Sequence, residues 1–391
     1  MELRVKRALL VIAFAFAAHA ETVQETVDAI IAAQPFQRAV WGIDIEQDDG
    51  TVVYQHNANL LMIPASNRKL SAMATAADCL GFDTRLTTEL WMDGDDVVIR
   101  GDGDPSFGAS RHESPGFAPF VAALQERGVR SVRNIIADVS RFDRVTIPYN
   151  WKVGNLVSDY AAPVDAIAFD ENAEGDASVA DAGINAALRF RDALREAGIG
   201  VTGDVQTESE PHQWDARLAV VQSPYVFQLM TTALTNSHNL YAEMLYKRAT
   251  PDGKYDEAEE LESVLLRSEM GLADGEFRFV DGSGLAPDDL ITPSALVKVV
   301  RWMNQPARRG MWWGLLATPG QPGTLHYRLT EYADRLRGKT GTVNGVNSLT
   351  GIIAGRNGHF RYFAILVNHH LGSSSEAQQL IDLVVRAIAD F

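Results

Sequence analysis

The sequence lacks several features that mark other classes of protein. It has one cysteine, Cys79, so an internal disulfide is excluded, and the thiol is expected to be buried in an apolar helix. Gly-x-Gly-x-x-Gly phosphate fingerprints are missing, and the acidic stretch 93–104 does not have the spacing of a calcium loop. We therefore expect no cofactor and no metal. A formal net charge of −16 also argues against binding to nucleic acid or to anionic lipid.

Long apolar runs are scarce too, and the most informative one lies within the first twenty residues. A basic start precedes an apolar run over residues 8–17, and Ala18-His19-Ala20 offers small residues for cleavage. This pattern predicts a secretory signal peptide over residues 1–20 and a periplasmic or secreted protein. An N-terminal membrane anchor is the alternative, although the run is about half of the ~20 residues that span a bilayer. No transmembrane anchor is expected after cleavage.

Alternating apolar and polar residues near the N-terminus, and strand-like segments separated by Asn-Gly turn signals near the C-terminus, predict one antiparallel sheet. Two strands near the N-terminus flank an Asp49-Gly50 turn, three consecutive strands lie near the C-terminus, and helices are expected beside them. The predicted strands are 39–46, 51–55, 335–342, 348–354 and 360–368, and the predicted helices of this part are 66–80, 224–248, 256–270 and 374–390.

The middle of the chain differs in character, with short strands, two helices and loops rich in Gly, Asp and Pro. We interpret residues 96–214 as an inserted domain, and residues 21–95 together with 215–391 as a discontinuous catalytic domain. The predicted fold class is therefore α+β, an antiparallel sheet flanked by helices with a smaller α/β domain inserted.

Ser66-Asn67-Arg68-Lys69 is the first motif that can carry chemistry. A serine that attacks a carbonyl needs a base within hydrogen-bond reach, and a lysine at i+3 lies on the same face of a helix. The N-terminal end of that helix would also favour an oxyanion. Alone, the spacing is more typical of a helix N-cap followed by a surface lysine.

Two further motifs follow, Ser237-His238-Asn239 between two helical stretches and Lys339-Thr340-Gly341-Thr342 in a predicted strand. The serine could be a simple N-cap and the lysine an exposed edge residue. A glycine in a strand also lets a ligand lie close to its edge. His238 is expected to point away from any cleft.

In this order the three motifs match the set typical of penicillin-binding proteins and class A β-lactamases. The chain more specifically resembles the class C low-molecular-mass penicillin-binding proteins, the D-Ala-D-Ala carboxypeptidase and endopeptidase family of the penicillin-binding protein 4 type. Further matching segments support this, although the third small domain common in that family looks absent after Asn172. These segments are 101–105, 138–142, 239–245, 281–285 and 323–325.

The resemblance implies a serine D-alanyl-D-alanine carboxypeptidase, with or without endopeptidase activity, that acts on peptidoglycan stem peptides and is acylated by β-lactams. It implies Ser66 as nucleophile and Lys69 as base, with a pKa lowered by burial beside Lys339. It further implies that Ser237 passes a proton to the leaving amine with the support of Lys339. Asn239 would hold Lys69 and the substrate amide. The residues that would bind substrate are Thr340, Gly341 and Thr342. The oxyanion hole would be the backbone N–H groups of Ser66 and Thr342.

Two alternatives remain open. One is a β-lactamase or esterase on the same scaffold, although no Glu-x-x-x-Asn sequence lies between the first two motifs. The other is a catalytically silent penicillin-binding module, against which the presence of every motif residue argues.

Overall fold

The computed structural model describes residues 22–355 and 358–389, so the predicted signal peptide lies outside the described residues. Within these residues no helix is long and apolar enough to cross a membrane. The helices are α1 Val23–Ile31, α2 Lys69–Leu80, α3 Ala118–Glu126, α4 Ala182–Glu196, α5 Val226–Thr235, α6 Asn239–Arg248, α7 Tyr255–Ser268, α8 Pro293–Met303, α9 Arg309–Leu315 and α10 Ser374–Ala389. The strands are β1 Val40–Gln47, β2 Val52–His56, β3 Arg85–Asp93, β4 Asp96–Gly101, β5 Ser131–Val132, β6 Ile135–Asp138, β7 Ala173–Glu174, β8 Ala177–Ser178, β9 Gly200–Val201, β10 Val205–Glu208, β11 Ala216–Tyr225, β12 Phe277–Arg278, β13 Leu290–Ile291, β14 Leu336–Val343, β15 Val346–Ala354 and β16 Phe360–Asn368.

The first sheet has five antiparallel strands in the order β14-β15-β16-β1-β2. The N-terminal hairpin and the three C-terminal strands therefore join in one sheet, which confirms the prediction of a single antiparallel sheet. β14 lies at one edge of this sheet, and a bridge between Ala317 and Gly338 covers the start of that edge. An edge strand is the part of a sheet that can bind an extended peptide.

Both faces of this sheet are buried, as β16 shows. Successive side chains of a strand point to opposite faces. Phe363, Ile365 and Val367 pack with α1 and α10, whereas Ala364 and Leu366 pack with the layer formed by α2 and α5–α9. The layer formed by α2 and α5–α9 carries Ser66 and Ser237 near the ends of its helices. The sheet and this helix layer therefore meet where these two serines lie.

A second sheet has the order β10-β6-β4-β3-β11 and packs against α3 and α4. β6 runs parallel to β4 and β10, whereas β3 pairs antiparallel with β4 and β11. Of these strands, β3 and β11 lie just outside the predicted insertion 96–214, on either side of it. The apolar core of this sheet also includes Leu240 and Met244 of α6. The division of the chain at 95/96 and 214/215 stays a prediction.

The expectation that Cys79 is buried is wrong, because the residue is exposed. α2 buries its first eight residues, 69–76, between the other layers, and its last turn extends beyond them. The helix ends before Gly81, whose φ of 74° is left-handed, as the predicted stop signal requires.

Candidate active site

Ser66 lies in a 3₁₀ turn, Ala65–Arg68, that continues directly into α2. The tight turn begins with Ala65 in the left-handed region, at φ 49°. Ser348 Oγ donates a hydrogen bond of 2.7 Å to the carbonyl oxygen of Pro64, which ties this turn to β15. The backbone N–H of Ser66 is therefore held at the N-terminal end of a helical segment, where free N–H groups favour an oxyanion.

Lys69 is fully buried, and its Nζ contacts three oxygen atoms: Ser66 Oγ at 2.7 Å, Asn239 Oδ1 at 2.6 Å and the Ser283 carbonyl oxygen at 2.8 Å. The orientation of the Asn239 amide is fixed, because its NH₂ group donates to the Tyr160 carbonyl oxygen at 2.7 Å. A neutral amine has two N–H bonds and one lone pair. Asn239 Oδ1 and the Ser283 carbonyl can only accept, so they take both hydrogens. The lone pair then faces the Ser66 hydroxyl, as a general base requires.

Burial lowers the pKa of Lys69 from 10.5 to about 7. Three buried carboxyl groups act in the opposite direction, and the Arg68 guanidinium adds a nearby cation that lowers the pKa further. The family resemblance implied Lys339 as that cation, whereas in the structure the charge of Lys69 helps, after burial, to lower the pKa of Lys339. A large fraction of Lys69 is therefore neutral at neutral pH.

Ser237 lies between α5 and α6 in a left-handed conformation, with φ 62°. The Nζ atom of Lys339 donates to its Oγ at 2.8 Å and to the Thr340 carbonyl oxygen at 2.7 Å. Lys339 is fully buried, and burial together with the charge of Lys69 holds its pKa well below the ordinary value. The Ser237 hydroxyl thus has a proton-exchanging amine directly behind it.

Gly341 is required by the packing of the chain itself. A Cβ atom at this position would overlap Ser348 Oγ and the Pro64 carbonyl oxygen. A ligand lying against the strand was the reason expected for this glycine, but protein atoms fill that space. The glycine lets β14 lie directly against the turn that carries Ser66, with Thr340 and Thr342 on either side of it.

The predicted site residues meet around one cleft of about 800 Å³. Lys69 and Lys339 lie buried beneath its floor, and Gly341 lies in the strand between two lining residues. Tyr160 and Lys152, from the predicted insertion, form part of the opposite wall. The predicted residues that line the cleft are Ser66, Ser237, Asn239, Thr340 and Thr342.

A set of buried acids behind Lys69 was not assigned from the sequence. Burial raises the pKa of Glu243 to about 7 and raises that of Asp289 well above its usual range. Burial acts on Asp281 in the same direction, but hydrogen bonds from Asp289 and from its own loop hold its pKa below the ordinary value. Asp281 accepts from the backbone N–H of Ser283 at 3.0 Å and so shapes the loop whose carbonyl binds Lys69. The signal for this loop in the sequence is the turn sequence Asp281-Gly282-Ser283-Gly284.

Glu171 reaches the Ser-x-Asn motif from the predicted insertion. Its carboxylate accepts hydrogen bonds from Arg111 at 2.8 Å and from the Tyr241 hydroxyl at 3.0 Å, and it lies 3.2 Å from Nε2 of His238. Residues 170–172 are left-handed in succession, a conformation that Asp170 and Asn172 adopt more readily than Glu171 does. His238 does not line the cleft and is anchored to Glu171 instead. No motif in the sequence marks this contact.

Comparison with known proteins identifies the family. Residues 23–175 and 172–388 match the family model described as the D-Ala-D-Ala carboxypeptidase 3 (S13) family. The chain belongs to this family. The resemblance drawn from its motifs is thereby confirmed, and with it the serine-type D-Ala-D-Ala carboxypeptidase class of enzyme.

Curated relatives agree with this assignment. Carboxypeptidase DacB of Mycolicibacterium smegmatis is 26% identical over an alignment of 391 residues that covers 93% of this chain and 83% of that protein. The D-alanyl-D-alanine carboxypeptidase of Actinomadura sp. is 26% identical over an alignment of 464 residues that covers 94% of this chain and 84% of the relative. Because that alignment is longer than the chain's 391 residues, the relative has segments that this chain lacks.

Solved structures confirm the predicted fold class. The crystal structure of penicillin binding protein 4 from Haemophilus influenzae has a TM-score of 0.81 at 16% identity and covers 93% of this chain and 98% of that chain. A predatory peptidoglycan endopeptidase from Bdellovibrio bacteriovorus has a TM-score of 0.59 at 16% identity and covers 90% of this chain and 93% of that chain. At these identities the likeness concerns the fold alone.

Proposed function

We propose that this family member removes the terminal D-alanine from peptidoglycan stem peptides through an acyl-enzyme on Ser66. The observation that carries the proposal is the hydrogen-bond arrangement of Lys69. Its two N–H bonds are used by Asn239 and Ser283, so its lone pair faces the Ser66 hydroxyl. A pKa of about 7 leaves this lone pair free at neutral pH.

In the acylation step, Lys69 takes the hydroxyl proton while Ser66 Oγ forms a bond to the carbonyl carbon of the penultimate D-alanine. The negative charge on the carbonyl oxygen is stabilised by the backbone N–H groups of Ser66 and Thr342. Collapse of the tetrahedral intermediate breaks the peptide C–N bond. The leaving amine of the last D-alanine takes the proton of the Ser237 hydroxyl, and the proton that Lys69 took from Ser66 replaces it, while the Lys339 Nζ lies 2.8 Å from the Ser237 oxygen. Water then hydrolyses the ester and regenerates the serine.

The edge of β14 gives the substrate its orientation. An extended peptide can pair with this edge as an additional strand. Its terminal carboxylate would then meet the hydroxyl groups of Thr340 and Thr342, which line the cleft beside Ser66. The Asn239 amide would contact the peptide from the opposite wall.

Similar proteins support action on cell-wall peptides and reactivity with β-lactams. The Bdellovibrio endopeptidase that shares this fold has also been solved acylated by penicillin G. We propose that penicillin acylates Ser66 here in the same way. Because that neighbour is an endopeptidase, cleavage of D-alanyl cross-links is a second activity to measure beside carboxypeptidase activity.

We also propose a location for the enzyme. Peptidoglycan lies outside the cytoplasmic membrane, and the basic start and apolar run of residues 1–20 fit an export signal. A periplasmic or secreted enzyme is the reading that agrees with both observations.

The test compares the wild-type enzyme with Ser66→Ala and with Ser268→Ala, a serine exposed at the end of α7. D-Alanine released from a peptide ending in D-Ala-D-Ala is measured, and purified cell wall is digested to identify monomer and cross-linked products. We expect the wild type and Ser268→Ala to release D-alanine and Ser66→Ala to be inactive. Residual activity of Ser66→Ala would contradict the assignment of Ser66 as the nucleophile.

Intact mass measurement after addition of penicillin separates the alternatives. A long-lived adduct that maps to Ser66 fits the proposed enzyme. Rapid loss of the adduct with hydrolysed penicillin in solution would indicate a β-lactamase. Absence of any adduct and of any D-alanine release would indicate a silent binding module.

A further inference from the structure

Beneath the Thr342 hydroxyl lies a short chain of buried polar groups. Asn347 stands opposite Thr342 in the register of β14 and β15, and its Nδ2 lies 3.0 Å from Thr342 Oγ1. Its Oδ1 lies 2.8 Å from Nε2 of His370, whose Nδ1 lies 3.0 Å from the Gly372 carbonyl oxygen. Asn347 is fully buried and His370 is 6% exposed, so these groups have to satisfy one another.

The Gly372 carbonyl decides which imidazole nitrogen always carries a hydrogen, because a carbonyl can only accept. Nδ1 of His370 is therefore protonated in both charge states, and Nε2 is the nitrogen that gains or loses a proton. When Nε2 is protonated, it donates to Asn347 Oδ1, and the Asn347 NH₂ group donates to Thr342 Oγ1. The Thr342 hydrogen is then free to point into the cleft.

When His370 is neutral, the hydrogen bonds between His370, Asn347 and Thr342 run in the opposite direction. Bare Nε2 needs a donor, so the Asn347 amide turns its NH₂ group to His370 and its oxygen to Thr342. Both amide orientations fit the same heavy-atom positions. The Thr342 hydroxyl must then donate to Asn347, and only its oxygen lone pairs face the cleft.

We propose that His370 and Asn347 are positioning residues that set the direction of the Thr342 hydroxyl and thereby the affinity of the site for the terminal carboxylate of the substrate. The proposal rests on the proposed function, in which Thr342 binds that carboxylate. Protonated His370 leaves a hydrogen-bond donor for the carboxylate, whereas neutral His370 presents it with lone pairs. By linkage, a bound carboxylate must favour the protonated form of His370 to the same extent.

The surroundings of His370 do not supply a competing charge. Among the described residues its contacts are the Asn347 amide, the carbonyl groups of Gly345 and Gly372, and the Phe36 ring at 5.3 Å between centroids. Burial lowers the pKa of His370 below 6.5, against the effect of the Gly372 carbonyl. The change in hydroxyl direction is therefore expected in weakly acidic solution, below the pH range in which Lys69 titrates.

The first experiment observes the hydrogen-bond direction directly in the full chain. Histidine labelled with ¹⁵N is introduced into the Ser66→Ala variant, and the His370 signals are assigned with His370→Gln. We expect Nδ1–H with bare Nε2 above neutral pH and protonation of Nε2 in weakly acidic solution. A tripeptide ending in D-Ala-D-Ala should move this midpoint to higher pH. An Nε2–H tautomer at neutral pH, or a midpoint that does not move when the peptide is saturating, would overturn the proposal.

The second experiment measures the dissociation constant of the same peptide for Ser66→Ala as a function of pH. We expect a rise of about tenfold or more as His370 becomes neutral, the usual effect of losing a hydrogen bond to a charged group. Adding Thr342→Val should weaken binding and abolish this pH dependence. Adding Asn347→Asp should weaken binding wherever the new carboxyl group is ionised, because a carboxylate can only accept and therefore takes the Thr342 hydrogen.

The outcomes distinguish this proposal from the proposed function. If Thr342→Val keeps the pH dependence of binding, the chain through Asn347 does not control the hydroxyl. If the peptide neither binds nor is hydrolysed by the wild type, the proposed function has failed. In that case the tautomer in the free chain, and its response to Asn347→Asp, still decide whether the hydrogen-bond chain exists.

Discussion

Replacing Lys69 by methionine should abolish acylation and, at the same time, relieve a cost to the folded state. The buried amine has a pKa of about 7 in the fold, against 10.5 as its ordinary value. At 1.36 kcal/mol per pH unit this difference is worth about 5 kcal/mol, which is the order of the cost of keeping the charged amine buried at or below pH 7. Methionine fills a similar volume without a charge. It leaves the oxygens of Asn239 and Ser283 without a donor, which costs about 1–3 kcal/mol each.

The pH dependence separates these two contributions. Between pH 7 and 10.5 the unfolded chain binds the Lys69 proton and the native protein does not, so the wild type gains stability as pH rises. The methionine variant has no such group. The stability of the variant relative to the wild type should therefore be greatest at about pH 7 and fall by about 1.4 kcal/mol for each pH unit above it. Lost hydrogen bonds shift this difference by a constant and leave its slope unchanged.

Guanidinium chloride unfolding followed by tryptophan fluorescence measures the slope at several pH values from about 7 to 9. Lys152→Met, at the exposed rim of the cleft, is the matched control for loss of a lysine side chain. A difference between wild type and Lys69→Met that stays constant over this range would show that Lys69 does not change its protonation there on folding. That result would refute its role as a neutral base at physiological pH.

Four further predictions follow from the same contacts. Acylation by penicillin should rise with pH and level off above about pH 7 as Lys69 loses its proton, and stopped-flow rates that are flat from about pH 5.5 to 8 would contradict this. Glu171→Gln should slow acylation about tenfold, because it weakens the contact of residue 171 with His238 in the Ser-x-Asn motif. An unchanged rate would show that this contact does not position the motif for acylation. Glu262→Met should cost about 3–5 kcal/mol of unfolding free energy by leaving Arg68 buried without its carboxylate, and the double variant with Arg68→Met should recover most of it, as a double-mutant cycle would show. Replacing residues 96–214 by a Gly/Ser linker should reduce penicillin acylation, because the contacts of Tyr160 with Asn239 and of Glu171 with His238 are lost, and full acylation would show that the site does not need this segment.

The elements that the sequence predicted well are those whose signal is local. The apolar run of β16 after the Asn357-Gly358 turn signal and the apolar period of α2 place them within a few residues of their observed bounds. The grouping of Ser66, Ser237 and Lys339 was available because each belongs to a short motif. Cys79 was misjudged because composition does not say how far a helix extends beyond the layer that covers it.

What the sequence did not reveal are contacts between loops that are distant in the chain. Ser283 offers a backbone carbonyl to Lys69, and a carbonyl carries no side-chain signature. His370 was assigned no role from the sequence, because its contact with Asn347 follows from the register of the sheet. The extent of the second sheet depends on pairing of β3 with β11, which lie on either side of a long segment.

These contacts change the role of the segment between the motifs. The lone pair of Lys69 faces Ser66 only because the Asn239 oxygen accepts one of its hydrogens, and that oxygen is oriented by the Tyr160 carbonyl. Tyr160 therefore takes part in setting the geometry of the base, although it lies in the predicted insertion and its side chain carries no catalytic chemistry. Glu171, from the same segment, holds the residue next to Ser237. The proposed base and the residue next to the proposed proton donor are therefore each oriented by a residue of the segment between the motifs.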